Sequence, residues 1–321
     1  MSLPHFLAPL SATVPPEKEG ARLSSFLLGS MGLSAHRLSS LKAQNAILVN
    51  GSPTHVNYTL HSGDIVSLSL PKERATAVPG TGKVQVLYED AAVLVVEKPS
   101  AIPTHPARYH ETDSLASRLA AQRPELRFRP LSRLDIGTGG VVTLAKTAPA
   151  AAALHTQMRQ GKVEKTYLAL AVGSTPDRLC CTDYTCKRTD KPSLRRVCAE
   201  GEKGAQYTRT EIVTLAKGGG LSCVAAFPRT GRTHQIRLQL AHAGFPLLGD
   251  RQYGTPSTAL PHQALFAFRV RFFSPETGAP VTVQAPLPEA FALLLSAAGM
   301  PGAEVLCEQL PVSLDFSGEI C

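Results

Sequence analysis

The chain has 321 residues, of which 43% are hydrophobic and 18% charged, and it carries a formal net charge of +8. This composition excludes wholesale disorder, and the length fits two domains. No run approaches the ~18 apolar residues of a membrane helix, and residues 1–20 lack the basic start and apolar centre of a secretion signal. The basic excess favours a polyanionic partner such as nucleic acid. We therefore expect a cytoplasmic protein with no membrane partner.

The first part of the chain predicts a small domain between two irregular segments. Residues 1–19 are rich in proline and aperiodic, which favours a flexible lead-in. Residues 20–71 contain two short helical patterns, an apolar strand and an alternating stretch at 65–70. Residues 72–83 hold two glycines and a proline without periodicity, so they predict a linker and a domain boundary.

The remainder, residues 84–299, predicts an α+β domain. Seven stretches predict strands: 84–87, 93–97, 141–144, 166–172, 208–215, 221–226 and 266–273. Three stretches predict helices: 113–122, 149–160 and 234–243. Because strands and helices do not alternate strictly, a mixed sheet is favoured over a doubly wound one. Residues 300–321 hold four acids and no lysine or arginine, and they predict an acidic tail that packs loosely.

Four of the seven cysteines are crowded between residues 180 and 198, which raises the question of zinc. The odd total and the length of the chain argue against a disulfide framework. The four are Cys180, Cys181, Cys186 and Cys198, with no CxxC pair and no histidine among them. We therefore predict reduced thiols and no metal site.

Motifs typical of nucleotide-phosphate, zinc-protease and serine-hydrolase sites are absent, and three polar clusters remain. The first surrounds Asp135, in a loop that precedes an apolar strand. Its carboxylate is a candidate nucleophile or acid–base group, and Arg133 could keep it charged, because a nearby cation favours a carboxylate. The alternative is a glycine-rich surface turn that Asp135 caps.

The second and third clusters carry an aromatic ring and a group of cations. Tyr167 begins a strand, where it either stacks on a base or is a half-buried strand tyrosine. Residues 228–237 (PRTGRTHQIR) bring three arginines and a histidine together, which favours a phosphate ligand. Thr233 is placed to cap a helix carrying His234 and Arg237. The nearby residues 249–254 predict a turn that needs no functional role.

These clusters occur in the order found in one enzyme family. The sequence RLDIGTGGVVTLAK resembles the RLDxxTSGLLLLAK signature of the RluA-type pseudouridine synthases. Three other blocks resemble that family: EDAAVLVVEKPSAIPTHP, VEKTYLALAVG and PRTGRTHQIRLQLAHAGFPLLGDRQYG. The resemblance spans residues 84–290. Residues 22–70 are similar to the αL RNA-binding domain named after ribosomal protein S-four, which is often fused ahead of such synthases.

The resemblance implies a fold, a reaction and a set of site residues. It implies a mixed, bent β-sheet with an RNA cleft across it, and an isomerase that needs no cofactor and no metal. The enzyme breaks the bond between uracil nitrogen 1 and the ribose, rotates the base and rejoins it through carbon 5. The matching site residues are the catalytic Asp135, the preceding Arg133, the base-stacking Tyr167 and the ion-pairing Arg237. Further RNA contacts are expected at Arg22, Arg37, Lys42, Lys98, Arg232 and His234.

Two positions depart from the signature, and one segment matches none of its blocks. Ser132 stands where the family usually has His and Gly139 where it has Ser, so we expect altered packing or RNA contacts rather than lost catalysis. Residues 178–196 carry six basic residues against two acids, and they predict either a substrate-specific surface or a plain solvated loop.

The expected partner is structured RNA, bound by a monomer. The αL resemblance favours 23S ribosomal RNA, with transfer RNA as the alternative. A non-catalytic RNA-binding protein on the same scaffold is a second interpretation, which the intact Asp135, Tyr167 and Arg237 oppose. A hydrolase that releases free base is a third, but no partner carboxylate lies near Asp135 in the sequence.

Overall fold

The computed structural model describes residues 11–33, 35–43, 45–68, 77–254, 256–258, 260–302, 305–306 and 310, without the side chains of His36, Arg37 and Ser40. The chain divides into two compact units, Met1–Ala75 and Thr76–Cys321. Within the described ranges, no helix has the length and apolar character needed to cross a membrane.

The first unit is a small sheet with two helices. Its elements are β1 (Ser11–Thr13), α1 (Leu23–Gly29), α2 (Ala35–Ala43), β2 (Ile47–Val49), β3 (Ser52–Pro53) and β4 (Ile65–Leu68). The strands are antiparallel in the order β1-β4-β2-β3. Leu23, Phe26 and Leu27 follow the i, i+3, i+4 spacing of one helix face, and all three are buried.

The expectation of a flexible lead-in through residue 19 is wrong for its described part. Strand β1 pairs with β4 through Ser11 and Ser67, and Val14 is only 1% exposed in the core of the unit. Burial of Val14 offsets the entropy that an ordered terminal segment loses. Residues 1–10 lie outside the described residues.

The second unit contains ten strands and four helices in its described part. The strands are β5 (Gln85–Glu89), β6 (Val93–Lys98), β7 (Gly139–Ala145), β8 (Glu164–Val172), β9 (Arg178–Lys187), β10 (Arg195–Cys198), β11 (Gln206–Gly218), β12 (Leu221–Pro228), β13 (Leu265–Phe273) and β14 (Pro280–Gln284). The helices are α3 (Leu115–Gln122), α4 (Ala148–Arg159), α5 (Gln235–His242) and α6 (Glu289–Ala297). The fold is α+β, as the sequence predicts.

One mixed sheet organises this unit, in the order β10-β9-β11-β12-β8-β13-β7-β6-β5, with β14 beside β13. Among the described pairs, only β7 with β13 is parallel. Strand β7 is buried along its whole length, which fits its continuous apolar sequence. Helices α3 and α4 begin at side-chain caps, Ser114 and Thr147, which accept the amides of Ser117 and Ala150.

Two segments differ from the sequence predictions. Of the two expectations for residues 178–196, a plain solvated loop is wrong for most of the segment, because residues 178–187 and 195–198 form strands β9 and β10 and only 188–194 connect them. Short runs of Cys, Thr and Tyr pack on a half-buried sheet without a strong apolar alternation. The described part of the tail is packed, since Leu306 is 1% and Leu310 5% exposed in the main core. Residues 311–321 lie outside the described residues.

The junction of β7 and β13 depends on Gly140, which lies opposite Ala267. Its φ is +110°, and a Cβ at this position would lie 2.2 Å from the Ala267 carbonyl oxygen. We expect Gly140→Ala to lower the free energy of unfolding, measured in urea, by about 2–4 kcal/mol. Gly161→Ala is the control, because Gly161 has φ +70° and no atom within 4 Å of such a Cβ. Equal losses in the two variants would contradict the close approach.

Candidate active site

A cavity of about 1270 Å³ lies in the second unit, over the sheet. The segments that line it include the loop 130–138, the start of β8 and the stretch 227–237. Its basic lining residues are Arg133, Arg159, Lys165, Arg229, Arg232, Arg237, Arg251 and Arg269. Among the described lining residues, only Asp135 and Glu164 are acids, so this lining is strongly cationic.

Hydrogen bonds on both sides of Asp135 fix the loop that carries it. The Leu134 amide donates to Thr104 Oγ1, and that hydroxyl donates back to the Leu134 carbonyl, both at 3.1 Å. The Thr138 amide donates to the Asp135 carbonyl at 3.0 Å, which closes a turn. These bonds hold the Asp135 side chain at the cavity, where it is 25% exposed.

Arg237 joins Asp135 to a second, buried carboxylate. Its Nε and Nη2 donate to the two oxygens of Asp250 at 2.7 and 2.9 Å, and Nη1 donates to Asp135 Oδ2 at 3.1 Å. Nη2 also donates to Gln252 Oε1 at 2.7 Å. The Arg237 side chain is 5% and that of Asp250 1% exposed. The bidentate pair of Arg237 with Asp250 fixes the guanidinium plane, so that Nη1 points at Asp135.

Burial and charge act in opposite directions on this pair. Burial works to raise the pKa of Asp250, but the hydrogen bonds and charge of Arg237 keep it below its ordinary value. Burial likewise opposes the charge on Arg237, yet Asp250 and then Asp135 raise its pKa above the usual value. Both groups are therefore charged at neutral pH, and each depends on the other.

His234, the cap residue directly before α5, lies against the same carboxylate. Its Nε2 lies 3.9 Å from Asp135 Oδ2, and its backbone has a positive φ of 58°. Tyr253 Oη accepts the Arg195 backbone amide at 2.8 Å and lies 2.8 Å from His234 Nδ1. The Tyr253 hydroxyl can then donate to Nδ1, which assigns the His234 proton to Nε2, facing Asp135. Burial lowers the pKa of His234, so the neutral ring predominates at pH 7.

Removing the Tyr253 hydroxyl tests this arrangement. We expect Tyr253→Phe to lower kcat by about 3- to 10-fold with little change in KM, because one net hydrogen bond of about 0.5–1.5 kcal/mol orients the ring. Steady-state kinetics on RNA would measure it, with Tyr109→Phe, at an exposed position outside the cavity lining, as the control. An unchanged kcat would contradict the orienting role.

The structure brings the four principal predicted site residues to one cavity. Tyr167 on β8 lines it, and burial together with the charge of Asp135 raises the pKa of its phenol, which therefore stays protonated. Arg133 is exposed at the cavity and forms no ion pair with Asp135 within the described part of the chain. The expected pairing of Arg133 with this carboxylate is therefore wrong, because the ion pair with Asp135 is made by Arg237.

The prediction that Lys98 contacts RNA is also wrong. Its side chain is fully buried, and Nζ donates to the carbonyls of Pro99 at 2.9 Å, Ile102 at 2.6 Å and Ile136 at 3.2 Å. Burial lowers the pKa of Lys98 to about 7, an effect that the charge of Asp135 opposes. Lys98 thus supports the carbonyl that directly follows Asp135.

The other predicted RNA contacts fall in different places. Arg232 is exposed and His234 half-buried, and both line the cavity. Arg22 and Lys42 are exposed in the first unit, whereas the side chain of Arg37 lies outside the described residues. Thr233 does not cap α5, because the cap position belongs to His234 and no side chain satisfies it.

Sequence reasoning missed the role of residues 249–254, which it interpreted as a turn. Asp250, Gln252 and Tyr253 all bond to Arg237 or His234. These residues belong to the family block that ends GDRQYG, and that membership is a sequence indication of a role at the site. However, a buried acid is hard to distinguish from a turn-capping acid in sequence alone. In the described part of the cavity, no three histidine, cysteine or carboxylate side chains converge in a way that suits a metal ion.

Comparison with known proteins identifies the family. A family model described as RNA pseudouridylate synthase matches residues 92–242. The chain is 32% identical over 307 residues to ribosomal large subunit pseudouridine synthase D of Neisseria meningitidis, with 89% of this chain and 81% of that protein covered. It is 30% identical over 293 residues to ribosomal large subunit pseudouridine synthase C of Haemophilus ducreyi, with 86% and 91% covered.

The fold also supports membership of this family. The solved structure of human RNA pseudouridylate synthase domain containing 1 superposes with a TM-score of 0.57 at 25% identity, over 74% of this chain and 98% of that one. Together with the sequence identities above, this likeness establishes the family of the chain. The chain is an RNA pseudouridine synthase of the RluA type.

Proposed function

We propose that this enzyme isomerises uridines in large-subunit ribosomal RNA, with Asp135 as the catalytic carboxylate. The observation that carries the proposal is the Asp135–Arg237 contact of 3.1 Å inside a cavity lined by cations. The two relatives named above, both at 30% identity or more, are described as large-subunit synthases, which supports this RNA as the substrate.

The cavity lining suits an extruded nucleotide. A uridine in folded RNA is stacked, so it must leave the stack to reach Asp135, at a cost of a few kcal/mol. Arg133 and Arg232 are exposed at the cavity, where phosphate contacts can offset that cost. Tyr167 presents an aromatic ring beside Asp135, and stacking on such a ring contributes about 1–3 kcal/mol per base.

The proposed chemistry moves one glycosidic bond and one hydrogen. The bond from the ribose to nitrogen 1 breaks, the base rotates, and a bond from the ribose to carbon 5 forms. Carbon 5 loses its hydrogen as a proton, and nitrogen 1 gains one, so nothing is consumed. Asp135 acts either as a nucleophile at the ribose or as the base that removes a ribose proton; Arg237 keeps the carboxylate oriented in both routes.

Pseudouridine mapping of total RNA tests the substrate. Cells that lack the protein are compared with the same cells carrying the wild type or Asp135→Asn. We expect a discrete site in large-subunit ribosomal RNA that only the wild type restores. A site restored in transfer RNA instead would contradict the ribosomal assignment, and an unchanged map in all RNA would favour a non-catalytic RNA-binding protein.

A further inference from the structure

Three metal-ligand side chains converge outside the active site, one on strand β9, one on β10 and one in the turn that follows β10. Cys186 Sγ, Cys198 Sγ and a Glu202 carboxylate oxygen all lie within 4.8 Å of one another, and we call them the thiol–carboxylate cluster. From this convergence, we propose that the cluster binds one thiophilic divalent cation of the Zn²⁺ type. The spacing of the cysteines in the sequence does not predict this cluster, because its ligands meet across a strand pair and not within one continuous motif.

The strand register explains why the thiols meet. In the antiparallel pair, Arg196 lies opposite Cys186 and Cys198 lies opposite Tyr184. Residues two apart on a strand share a face, so both cysteines point to the same side as diagonal neighbours. Cys186 is buried and donates to Glu202 Oε1 at 3.6 Å, which draws the carboxylate over the pair.

The donor set matches the ion. Two thiolates and one carboxylate form a three-ligand zinc site that leaves a fourth position for water. Sulfurs bound to zinc at about 2.3 Å lie about 3.8 Å apart in a tetrahedron. Donors already within 4.8 Å of one another reach that spacing by side-chain rotation. Soft thiolates select zinc over calcium or magnesium, which prefer oxygen ligands.

The charges around the cluster are also those of a metal site. Arg196 forms an ion pair with the Glu202 carboxylate. Carboxylate ligands of metals are commonly held by such an outer partner. The divalent ion and Arg196 together would neutralise two thiolates and one carboxylate.

The site would fix the end of a basic hairpin. Residues 188–194 connect β9 to β10 and carry Arg188 and Lys191. The hairpin reaches the active site through the Arg195 amide, which donates to Tyr253 Oη at 2.8 Å. The bound ion would link both strands of the pair next to this contact, and so restrain the hairpin without taking part in catalysis.

Zinc titration of the full-length reduced protein tests the proposal. After chelation and removal of metal, we expect one Zn²⁺ per chain in competition with a chromophoric chelator. Because the ligands must be deprotonated, we also expect release of up to two protons per ion at pH 7. Cobalt in place of zinc should give a thiolate-to-cobalt absorption band, a readout that needs no variant.

Variants separate the cluster from other thiols. We expect Cys186→Ser and Cys198→Ser to weaken zinc binding at least about 100-fold and Glu202→Gln about tenfold, with circular dichroism confirming the fold. Cys181→Ser, a buried thiol outside the cluster, is the matched control and should bind as the wild type does. The proposal is overturned if the reduced protein binds no ion, if binding survives both cysteine variants, or if the two thiols only form a disulfide with peroxide while the reduced pair ignores zinc.

Discussion

We expect Arg237→Met to lose about 3–5 kcal/mol of the free energy of unfolding and at least about 100-fold of the activity. The stability falls because Asp250, 1% exposed, is left as a buried charge without its cation. If Asp135 is the catalytic carboxylate, as proposed above, the activity falls because Asp135 loses the donor 3.1 Å away that orients it, and small displacements of such a group cost about 100-fold. Urea unfolding and single-turnover kinetics measure the two effects separately.

The neighbouring arginine provides the control. Arg251 is exposed at the cavity and adjacent to Asp250 in sequence, so Arg251→Met changes the same charge without opening a buried pair. We expect its stability to stay within about 0.5 kcal/mol of the wild type, as is usual at exposed positions. Adding Asp250→Asn to Arg237→Met should recover part of the lost stability but none of the activity. Wild-type stability and turnover in Arg237→Met would contradict the network.

We expect Lys98→Met to reduce both stability and activity. The variant leaves the carbonyls of Pro99, Ile102 and Ile136 without their donor, and that of Ile102 is buried. We therefore expect a loss of about 2 kcal/mol together with at least tenfold slower catalysis. Rates on RNA and urea unfolding at pH 7 measure these effects. Lys203→Met, at an exposed position in the same unit, is the control.

The low pKa of Lys98 adds a pH dependence with a defined sign. Between pH 7 and 10.5 the unfolded chain keeps the Lys98 proton while the folded chain, with a pKa of about 7, releases it. Since the unfolded state then binds more protons, this group makes stability rise with pH across that window. The difference in free energy of unfolding between wild type and Lys98→Met should therefore grow from pH 7 to pH 9.5. A constant or shrinking difference would contradict the burial of this amine.

The sequence predicts the parts of the site that lie within a continuous motif. Asp135, Tyr167 and Arg237 belong to three blocks whose order is enough to identify the family, and the structure brings all three to one cavity. The strands of the central sheet are predictable too, because β7 and β8 are apolar runs that must be buried on both faces.

What the sequence does not predict depends on contacts between distant segments. In the sequence, Lys98 is indistinguishable from a lysine at the surface. Its burial and its hydrogen bonds to three carbonyls arise only when the segments around it fold together. Asp250 is indistinguishable from a turn residue until Arg237 is placed beside it. Cys186 and Cys198 become neighbours only through the register of β9 and β10. This register cannot be predicted from the sequence of short polar strands.

The hydrogen on carbon 5 of uridine reports directly on the proposed isomerisation. RNA from cells that lack the protein is labelled with tritium at that carbon and incubated with purified wild type or Asp135→Asn. Because the new glycosidic bond replaces the carbon–hydrogen bond, we expect the wild type to release tritium to water. We expect Asp135→Asn, of nearly identical shape, to release none while binding the RNA within about threefold of the wild type. Tritium release by Asp135→Asn at the wild-type rate would contradict catalysis by Asp135. Free uracil as the wild-type product would contradict isomerisation.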